Sequence, residues 1–237
     1  MSKNGLSRRQ LLQRTLAWTA AAPALPALLQ AGAATQEATA PAETVAAPPR
    51  GRVRGAIATP HPEGTAAATS ILQQGGNAVD AAVAALMTLC VVEPGNVGFG
   101  GYGGSMIICL AAGKRVTAID FDSRAPLALN PEVLTEKLAG RGYLAAGVPG
   151  VVAGMDLAHR RYGRLPWKQL TTHALNVAEH GFTVTPGIAG CLDRFYKGSD
   201  PVSRRALFPD DRVPAAGELW VPNDLARLIR VIADGGA

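Results

Sequence analysis

The 237-residue chain carries 23 lysines and arginines against 18 aspartates and glutamates, a formal charge of +5. Four of these basic residues, Lys3, Arg8, Arg9 and Arg14, lie in the first 33 positions, which contain no acid, so the rest of the chain has 19 basic and 18 acidic residues. This body is nearly neutral and has no basic patch interleaved with aromatic residues, so we expect no nucleic-acid partner. The 48% of hydrophobic residues is typical of a globular protein.

The first 33 residues have the pattern of a twin-arginine export signal. Arg8-Arg9 precedes a leucine pair, an apolar stretch runs over 16–29, and Ala31-Gly32-Ala33 offers the small residues that a signal peptidase needs. A membrane anchor is the alternative. It is weaker, because the stretch is shorter than the ~20 apolar residues that span a bilayer and contains two prolines. We therefore expect a periplasmic or secreted protein without a stable membrane anchor.

Residues 34–54 are rich in Ala, Thr and Pro, which predicts a flexible tether before a folded body at 55–237. A short strand is predicted at 55–59. The apolar spacing of the next segment predicts a helix that ends at Gly75-Gly76. A second helix follows, with Asn77 as its cap and Asp80 in its first turn, and it should be central because it is apolar on nearly every side. Its predicted buried stripe consists of Val79, Val83, Leu86 and Cys90.

A glycine-rich loop at 93–104 comes next. The apolar runs at 105–110 and 116–121, separated by a turn that contains Gly113-Lys114, predict an antiparallel hairpin. Because a two-stranded hairpin is rarely stable alone, we expect more chain or a second subunit to complete the sheet. Further helices are predicted at 131–139, 149–162, 166–180, 186–196 and 222–233.

Several patterns have an ordinary explanation. The loop at 98–103 matches the dinucleotide fingerprint, but a helix is predicted before it and a strand after it, the reverse of what that motif requires. Thr171-Thr172-His173 lies inside a predicted helix, whereas a threonine nucleophile usually needs its own free α-amine. The other histidines, His61, His159 and His180, show no metal spacing, so we expect no metal or other cofactor. The cysteines, Cys90, Cys109 and Cys191, are interpreted as buried free thiols rather than a disulfide framework.

A set of short motifs follows a fixed order along the folded body. These motifs are GAIATPHP at 55–62, ILQQGGNAVDAAVA at 71–84, VEP at 92–94 with the glycines of 98–104, IDF at 119–121, AP at 125–126, GVPGVVAG at 147–154, YGRLPW at 162–167 and AEHGFTV at 178–184. In their order and spacing they resemble the N-terminal part of the large subunit of γ-glutamyltransferases, and the resemblance runs from position 55 to the C-terminus.

This resemblance implies an α+β protein with part of the αββα fold of N-terminal-nucleophile hydrolases, mostly helical here with a central antiparallel hairpin. It also implies acyl transfer from glutathione or a similar γ-glutamyl amide to water or an amine. In the family a precursor cuts itself, and the new N-terminal threonine of the small subunit is the nucleophile. No segment of this chain corresponds to that threonine. We therefore expect no catalytic residue here, a small subunit as partner, and no activity of the chain alone.

The resemblance also implies an arginine that binds the substrate α-carboxylate, a task suited to planar bidentate pairing. The family pattern Asp-Phe-Arg-Glu-x-Ala-Pro corresponds here to 120–126, where Asp122 occupies the arginine position and Arg124 follows two places later. Because side chains two apart on an extended segment share a face, Arg124 is the candidate substrate-binding residue. A surface or structural ion pair is the alternative for Arg124.

Three interpretations of function remain open. The first is γ-glutamyl transfer or hydrolysis. The second is a non-catalytic truncated or split-subunit polypeptide. The third is an acylase for other amides, such as β-lactam side chains, because Asp122 would repel a glutamyl α-carboxylate. The glycine-rich loop is expected to pack near the core and shape the pocket floor, with Glu93 as a buried hydrogen-bonding partner.

Overall fold

The computed structural model describes residues 55–111, 115–130, 132, 135 and 142–236. The predicted signal at 1–33, the tether at 34–54 and the hairpin turn at Gly113-Lys114 lie outside the described residues. Of the predicted helix at 131–139, only positions 132 and 135 are described.

Helix α1, Pro62–Gln73, begins with a proline in its first turn, where a missing N–H costs nothing. His61 caps it, because the ring Nδ1 accepts the Glu63 N–H at 3.2 Å. The chain leaves the helix through Gly75, whose φ of 89° is a conformation that glycine adopts without strain. The predicted stop at Gly75-Gly76 is confirmed.

Helix α2, Ala78–Val92, is the central helix that its sequence predicts. Asn77 and Asp80 form a capping box, in which Asn77 Oδ1 accepts the N–H groups of Val79 and Asp80, and Asp80 Oδ2 accepts the Asn77 N–H at 2.9 Å. The predicted buried stripe is correct except that Leu86 is only half-buried.

Asp80 also fixes the connection between the next two helices, α3 (Val151–Tyr162) and α4 (Trp167–His180). Its side chain is fully buried and accepts the Arg164 N–H at 2.9 and 3.1 Å and the Leu165 N–H at 3.4 Å. A buried carboxylate is tolerated where hydrogen bonds replace its hydration. Asp80 therefore joins the start of α2 to a loop 84 residues later in the chain.

The C-terminal part adds helices and one small strand pair. Strand β3, Phe182–Thr183, pairs antiparallel with β4, Leu219–Trp220, and between them lie α5, Pro186–Gly198, and α6, Pro201–Leu207. Helix α7, Asn223–Gly235, packs on α4, where the indole N–H of Trp167 donates to the Ile232 carbonyl at 2.8 Å. A short 3₁₀ turn covers Tyr143–Ala145. The sequence predicted neither α6 nor the β3–β4 pair.

Strands β1, Ser105–Leu110, and β2, Arg115–Asp120, form the predicted antiparallel hairpin. One face packs on the helices through Ile108 and Ile119, which are 6% and 4% exposed. Interaction with the Thr117 side chain of β2 lowers the pKa of Tyr162, the last residue of α3. The other face, called here the outer face, carries Ser105, Ile107, Cys109, Val116, Ala118 and Asp120, all exposed.

Two sequence expectations are wrong. Residues 55–59 form no strand with any part of the chain that the structure describes. Instead the Thr59 hydroxyl bonds to the His61 carbonyl at 2.7 Å and to the Thr65 hydroxyl at 2.8 Å, so the segment leads into α1. Cys109 is exposed because strand alternation puts it on the outer face; Cys90 is buried and Cys191 half-buried, and all three are free thiols.

Within the described ranges, no helix combines the length and apolar character that crossing a bilayer requires.

Candidate substrate-binding site

The antiparallel pairing of the hairpin continues beyond the end of β2 into the glycine-rich loop. Ser105 is the register partner of Asp120. One step on, the Phe121 N–H donates to the Gly104 carbonyl at 2.9 Å, and two residues later the Ser123 N–H donates to the Tyr102 carbonyl at 2.6 Å. Residues 121–123 are therefore held in extended conformation in the register that the hairpin sets. We call residues 120–124 the site segment.

Phe121 fixes this segment to the core. Its ring is buried and lies over α3, where a Cβ on Gly154 would stand 2.3 Å from the ring carbon Cγ. Its carbonyl lies against Gly103, which has φ 101° and whose hypothetical Cβ would come within 2.2 Å of that oxygen. Only glycine permits both this φ and this approach. At Gly103 the glycine-rich loop thus supplies a positive φ and a close backbone contact.

Backbone hydrogen bonds also fix Arg124, at the C-terminal end of the site segment. Its N–H donates to the Val148 carbonyl at 3.2 Å, and the Val148 N–H donates to the Arg124 carbonyl at 2.8 Å, an isolated antiparallel bridge. The backbone of the site segment is thus paired first with the glycine-rich loop and then with the 147–150 strip that leads into α3.

Alternation along the segment separates two sets of side chains. Ile119 and Phe121 are buried and Ser123 is half-buried, whereas Asp120, Asp122 and Arg124 are all exposed. The predicted shared face of Asp122 and Arg124 is therefore confirmed, and it is continuous with the outer face of the hairpin. The substrate-binding role of Arg124 stays a prediction.

Neither charged side chain of this pair is engaged by the part of the chain that the structure describes. The Arg124 guanidinium forms no hydrogen bond or ion pair there, and neither does the Asp122 carboxylate. Only the backbone of Asp122 is bonded, through its N–H to Asp120 Oδ1 at 3.1 Å. Sequence reasoning missed Asp120 as the third charged group of this face, although the same two-residue alternation indicates it.

Glu93, at the other end of the glycine-rich loop, differs from its prediction. Its carboxylate does accept a hydrogen bond, from Asn96 Nδ2 at 2.8 Å, but the residue is half-buried rather than buried. The reason is its position at the C-cap of α2, where the chain turns toward the surface.

The remaining motifs lie where the sequence placed them. The fingerprint-like glycines stand between α2 and β1, so a helix precedes them and a strand follows, the reverse of the order that a dinucleotide site requires. Thr171 and Thr172 are helical and donate to the Lys168 carbonyl. His173 Nε2 lies 2.8 Å from Glu63 Oε2, an α1–α4 contact that helix periodicity alone does not reveal.

Two recesses in the described surface lie away from the site segment. A cavity of about 260 Å³ lies between α1 and α4, and Ser70, Gln169 and His173 line it. A shallow groove runs along α1 beside Thr59 and Thr65. Neither contains Asp122 or Arg124, which therefore stand on open surface in this chain. Among the described residues, no three His, Cys, Asp or Glu side chains converge as metal ligands.

Comparison with known proteins agrees with the resemblance. A family model described as gamma-glutamyltranspeptidase matches residues 64–237. The glutathione hydrolase proenzyme of Pseudomonas sp. (strain A14) is 36% identical over 200 residues, which cover 79% of this chain and 34% of that protein. The chain spans about a third of the length of the curated relatives it matches.

Solved structures give the same result for the fold. The crystal structure of Helicobacter pylori gamma-glutamyltranspeptidase is 33% identical, with a TM-score of 0.72 over 78% of this chain and 56% of that one. Cephalosporin acylase from Bacillus halodurans is 26% identical, with a TM-score of 0.65 over 78% and 39%. The predicted fold class, a helix-rich part of an N-terminal-nucleophile hydrolase fold with an antiparallel hairpin, is confirmed. The chain belongs to the γ-glutamyltranspeptidase family.

Proposed function

We propose that this protein takes part in γ-glutamyl acyl transfer or hydrolysis, with glutathione or a related γ-glutamyl amide as donor. The observation that carries the proposal is the family match over residues 64–237, supported by a relative that is named a glutathione hydrolase proenzyme. The chain contributes the substrate-binding side of the site rather than its nucleophile.

Arg124 is the residue that we assign to the substrate α-carboxylate. Two backbone hydrogen bonds to Val148 fix its position, and its guanidinium is not engaged by the described part of the chain. A guanidinium can donate two parallel N–H bonds to one carboxylate, which gives orientation as well as affinity.

The nucleophile in this proposal is the N-terminal threonine of a small subunit. Its hydroxyl attacks the γ-carbonyl, its own α-amine takes the proton, and the C–N bond of the donor breaks as the leaving amine is protonated. Water or an acceptor amine then releases the γ-glutamyl group. Thr171 and Thr172 do not suit this step, because they lie inside α4 and have no free α-amine.

The outer face supports the need for that partner. Ile107 and Val116 on it are 75% and 63% exposed, although strand side chains of this type normally pack against another layer. A second sheet layer from the small subunit would cover them and enclose Asp122 and Arg124. This accounts for a substrate-binding residue on open surface.

The test is release of p-nitroaniline from γ-glutamyl-p-nitroanilide. We expect no turnover by the purified 237-residue chain and turnover when the chain is produced together with a small subunit that begins with threonine. Turnover by the chain alone would place the nucleophile within it and contradict the assignment. No turnover by the two together would favour the non-catalytic alternative.

We also propose that twin-arginine export takes the protein to the periplasm or beyond, on the strength of Arg8-Arg9 and the apolar stretch that follows. The protein should then appear in the periplasmic or medium fraction, and changing both arginines to lysine should retain it in the cytoplasm. Unchanged export of the double-lysine variant would contradict this route.

A second candidate substrate class is amides other than γ-glutamyl compounds, such as β-lactam side chains. The similarity to cephalosporin acylase and the carboxylate at position 122 favour it. Parallel assays with an N-acyl β-lactam and γ-glutamyl-p-nitroanilide would separate the two candidates.

A further inference from the structure

We propose that the cavity between α1 and α4 binds a neutral, polyhydroxylated ring of about the size of one monosaccharide. The cavity measures about 260 Å³, and no residue of the site segment lines it. One water molecule occupies about 30 Å³ of the liquid, whereas pockets for drug-sized ligands begin at about 300 Å³, so the space suits a single sugar ring. The inference goes beyond the proposed γ-glutamyl chemistry and does not depend on it.

The first argument is that the space is built into the helix packing. Packed protein interiors normally have few voids larger than a water molecule. Here the lining includes small side chains from two helices, Ala67 and Ser70 on α1 and Ala84 on α2. These side chains are too short to fill the gap between the helices, so the sequence of the chain itself keeps the space open.

The second argument is that hydrogen bonds between side chains fix the polar part of the lining. Near the start of α1, His173 Nε2 lies 2.8 Å from Glu63 Oε2. At the C-cap of α1, Gln169 Nε2 donates to Gln74 Oε1, and Gln74 Nε2 donates to Ser70 Oγ at 2.8 Å. Side chains that are held in place before binding lose less entropy when a ligand enters.

The third argument is the hydrogen-bonding capacity that remains in the lining. Ser70 accepts from Gln74 and keeps its own O–H to donate, and the Gln169 Oε1 atom has no donor within the described ranges. The Asn176 side-chain amide, which also lines the cavity, forms no hydrogen bond with the described residues. The cavity therefore offers both donors and acceptors, and each hydroxyl group of a polyol can use both.

The fourth argument is the balance of polar and apolar groups. Among the described residues that line the cavity there is no lysine, arginine, aspartate or glutamate. A charged ligand would lose hydration without meeting an opposite charge, and a purely apolar ligand would leave polar groups of the lining unpaired. A sugar ring presents hydroxyl groups at its edge and C–H groups on its face. The C–H face matches the buried part of the lining, which consists of Ala67, Ile71, Ala84 and Leu170.

The experiment is a titration of the isotope-labelled 237-residue chain with the methyl pyranosides of glucose, galactose and mannose, followed by amide chemical shifts in NMR spectra. We expect at least one of the three to bind with a Kd of about 1 mM, as is usual for small uncharged ligands, and to shift signals of α1, α2 and α4. Glucuronate adds a carboxylate to the same ring, and cyclohexanol lacks most of its hydroxyl groups. Both should bind at least about 10-fold more weakly.

Variants of the lining connect this binding to the cavity. Ser70→Ala and Asn176→Ala each remove one hydrogen-bonding group and should raise the Kd about 3- to 10-fold. Ser70→Leu fills the space and should abolish binding. Thr69→Ala and Gln73→Ala are the matched controls, because they remove a hydroxyl and an amide from exposed positions of α1 outside the cavity, and they should bind like the unaltered chain.

Three results would overturn the inference. The first is no saturable shift with any of the methyl pyranosides up to about 50 mM. The second is equal binding of glucuronate or cyclohexanol, and the third is unchanged affinity in both Ser70→Ala and Asn176→Ala. None of these results affects the turnover of γ-glutamyl-p-nitroanilide, so the inference and the proposed function can fail separately.

Discussion

The helical layer and the hairpin satisfy their polar and apolar groups in different ways. In the helical layer, α2 is buried on nearly all sides, and its one buried carboxylate, Asp80, accepts backbone N–H groups from two separate segments. In the hairpin, one face is packed, whereas Ile107 and Val116 on the outer face, and Asp122 and Arg124 on the adjoining site segment, are exposed. The buried carboxylate of the first region thus finds its partners among the described residues. The second has chemical groups whose partners the described residues do not provide.

The largest effect should come from removing Asp80. Asp80→Ala removes a fully buried acceptor from the N–H groups of Asn77, Arg164 and Leu165, and we expect a loss of about 4 kcal/mol in the free energy of unfolding. Urea unfolding followed by circular dichroism measures it. Asp80→Asn keeps one acceptor oxygen and should lose less. A loss below about 1 kcal/mol for Asp80→Ala would show that water replaces the carboxylate.

The two faces of β1 can be compared through neighbouring isoleucines. Ile108→Ala removes a side chain that is 6% exposed and should cost about 3 kcal/mol. Ile107→Ala removes one that is 75% exposed and should cost less than about 0.5 kcal/mol in the chain alone. Equal losses in urea unfolding would mean that the outer face is already covered in solution.

Substitution of Gly103 tests the close backbone contact between the glycine-rich loop and the site segment that follows the hairpin. Gly103→Ala should cost about 2 kcal/mol, because its Cβ would meet the Phe121 carbonyl at 2.2 Å and its φ of 101° is strained for alanine. Gly100→Ala is the control, since no atom lies within 4 Å of its hypothetical Cβ. The same thermal or urea unfolding assay measures both. Indistinguishable stabilities would contradict the observed pairing.

The smallest expected effect needs no mutation and is measured by thiol labelling. Burial raises the pKa of the Cys90 thiol to about 12, so it stays protonated near pH 8, whereas Cys109 is exposed on the outer face. Iodoacetamide should modify Cys109 quickly and Cys90 only on unfolding, as read by peptide mass spectrometry. Binding of the proposed small subunit should slow labelling at Cys109. Unchanged labelling in the complex would place that subunit elsewhere.

Local sequence signals predicted most of the fold. The capping residues Asn77 and Asp80 correctly predicted where α2 begins. The two apolar runs predicted the strands of the hairpin to within one residue. The expectation for 55–59 failed because an apolar run does not reveal whether a strand partner exists. Helix α6 is short and has no buried residues, so its sequence lacks the hydrophobic periodicity from which a helix is predicted.

The site was predictable only in part. Alternation was enough to place Asp122 and Arg124 on one face, but not to show that the hairpin register extends to Ser123. That extension depends on hydrogen bonds from Phe121 and Ser123 to residues of the loop about twenty positions earlier. The exposure of Cys109 was missed for a related reason, because an apolar strand sequence does not say which of its faces the core covers.

The extension of the hairpin register limits how the site can be altered. Inserting or deleting one residue among positions 102–104 would change which loop residues pair with Phe121 and Ser123, while β2 keeps the faces of the site segment unchanged. The residue that then lies against the Phe121 carbonyl would no longer be Gly103, whose positive φ and missing side chain permit that contact. Changes of specificity, whether by evolution or by design, are therefore expected as replacements at positions 120, 122 and 124 in a loop of constant length.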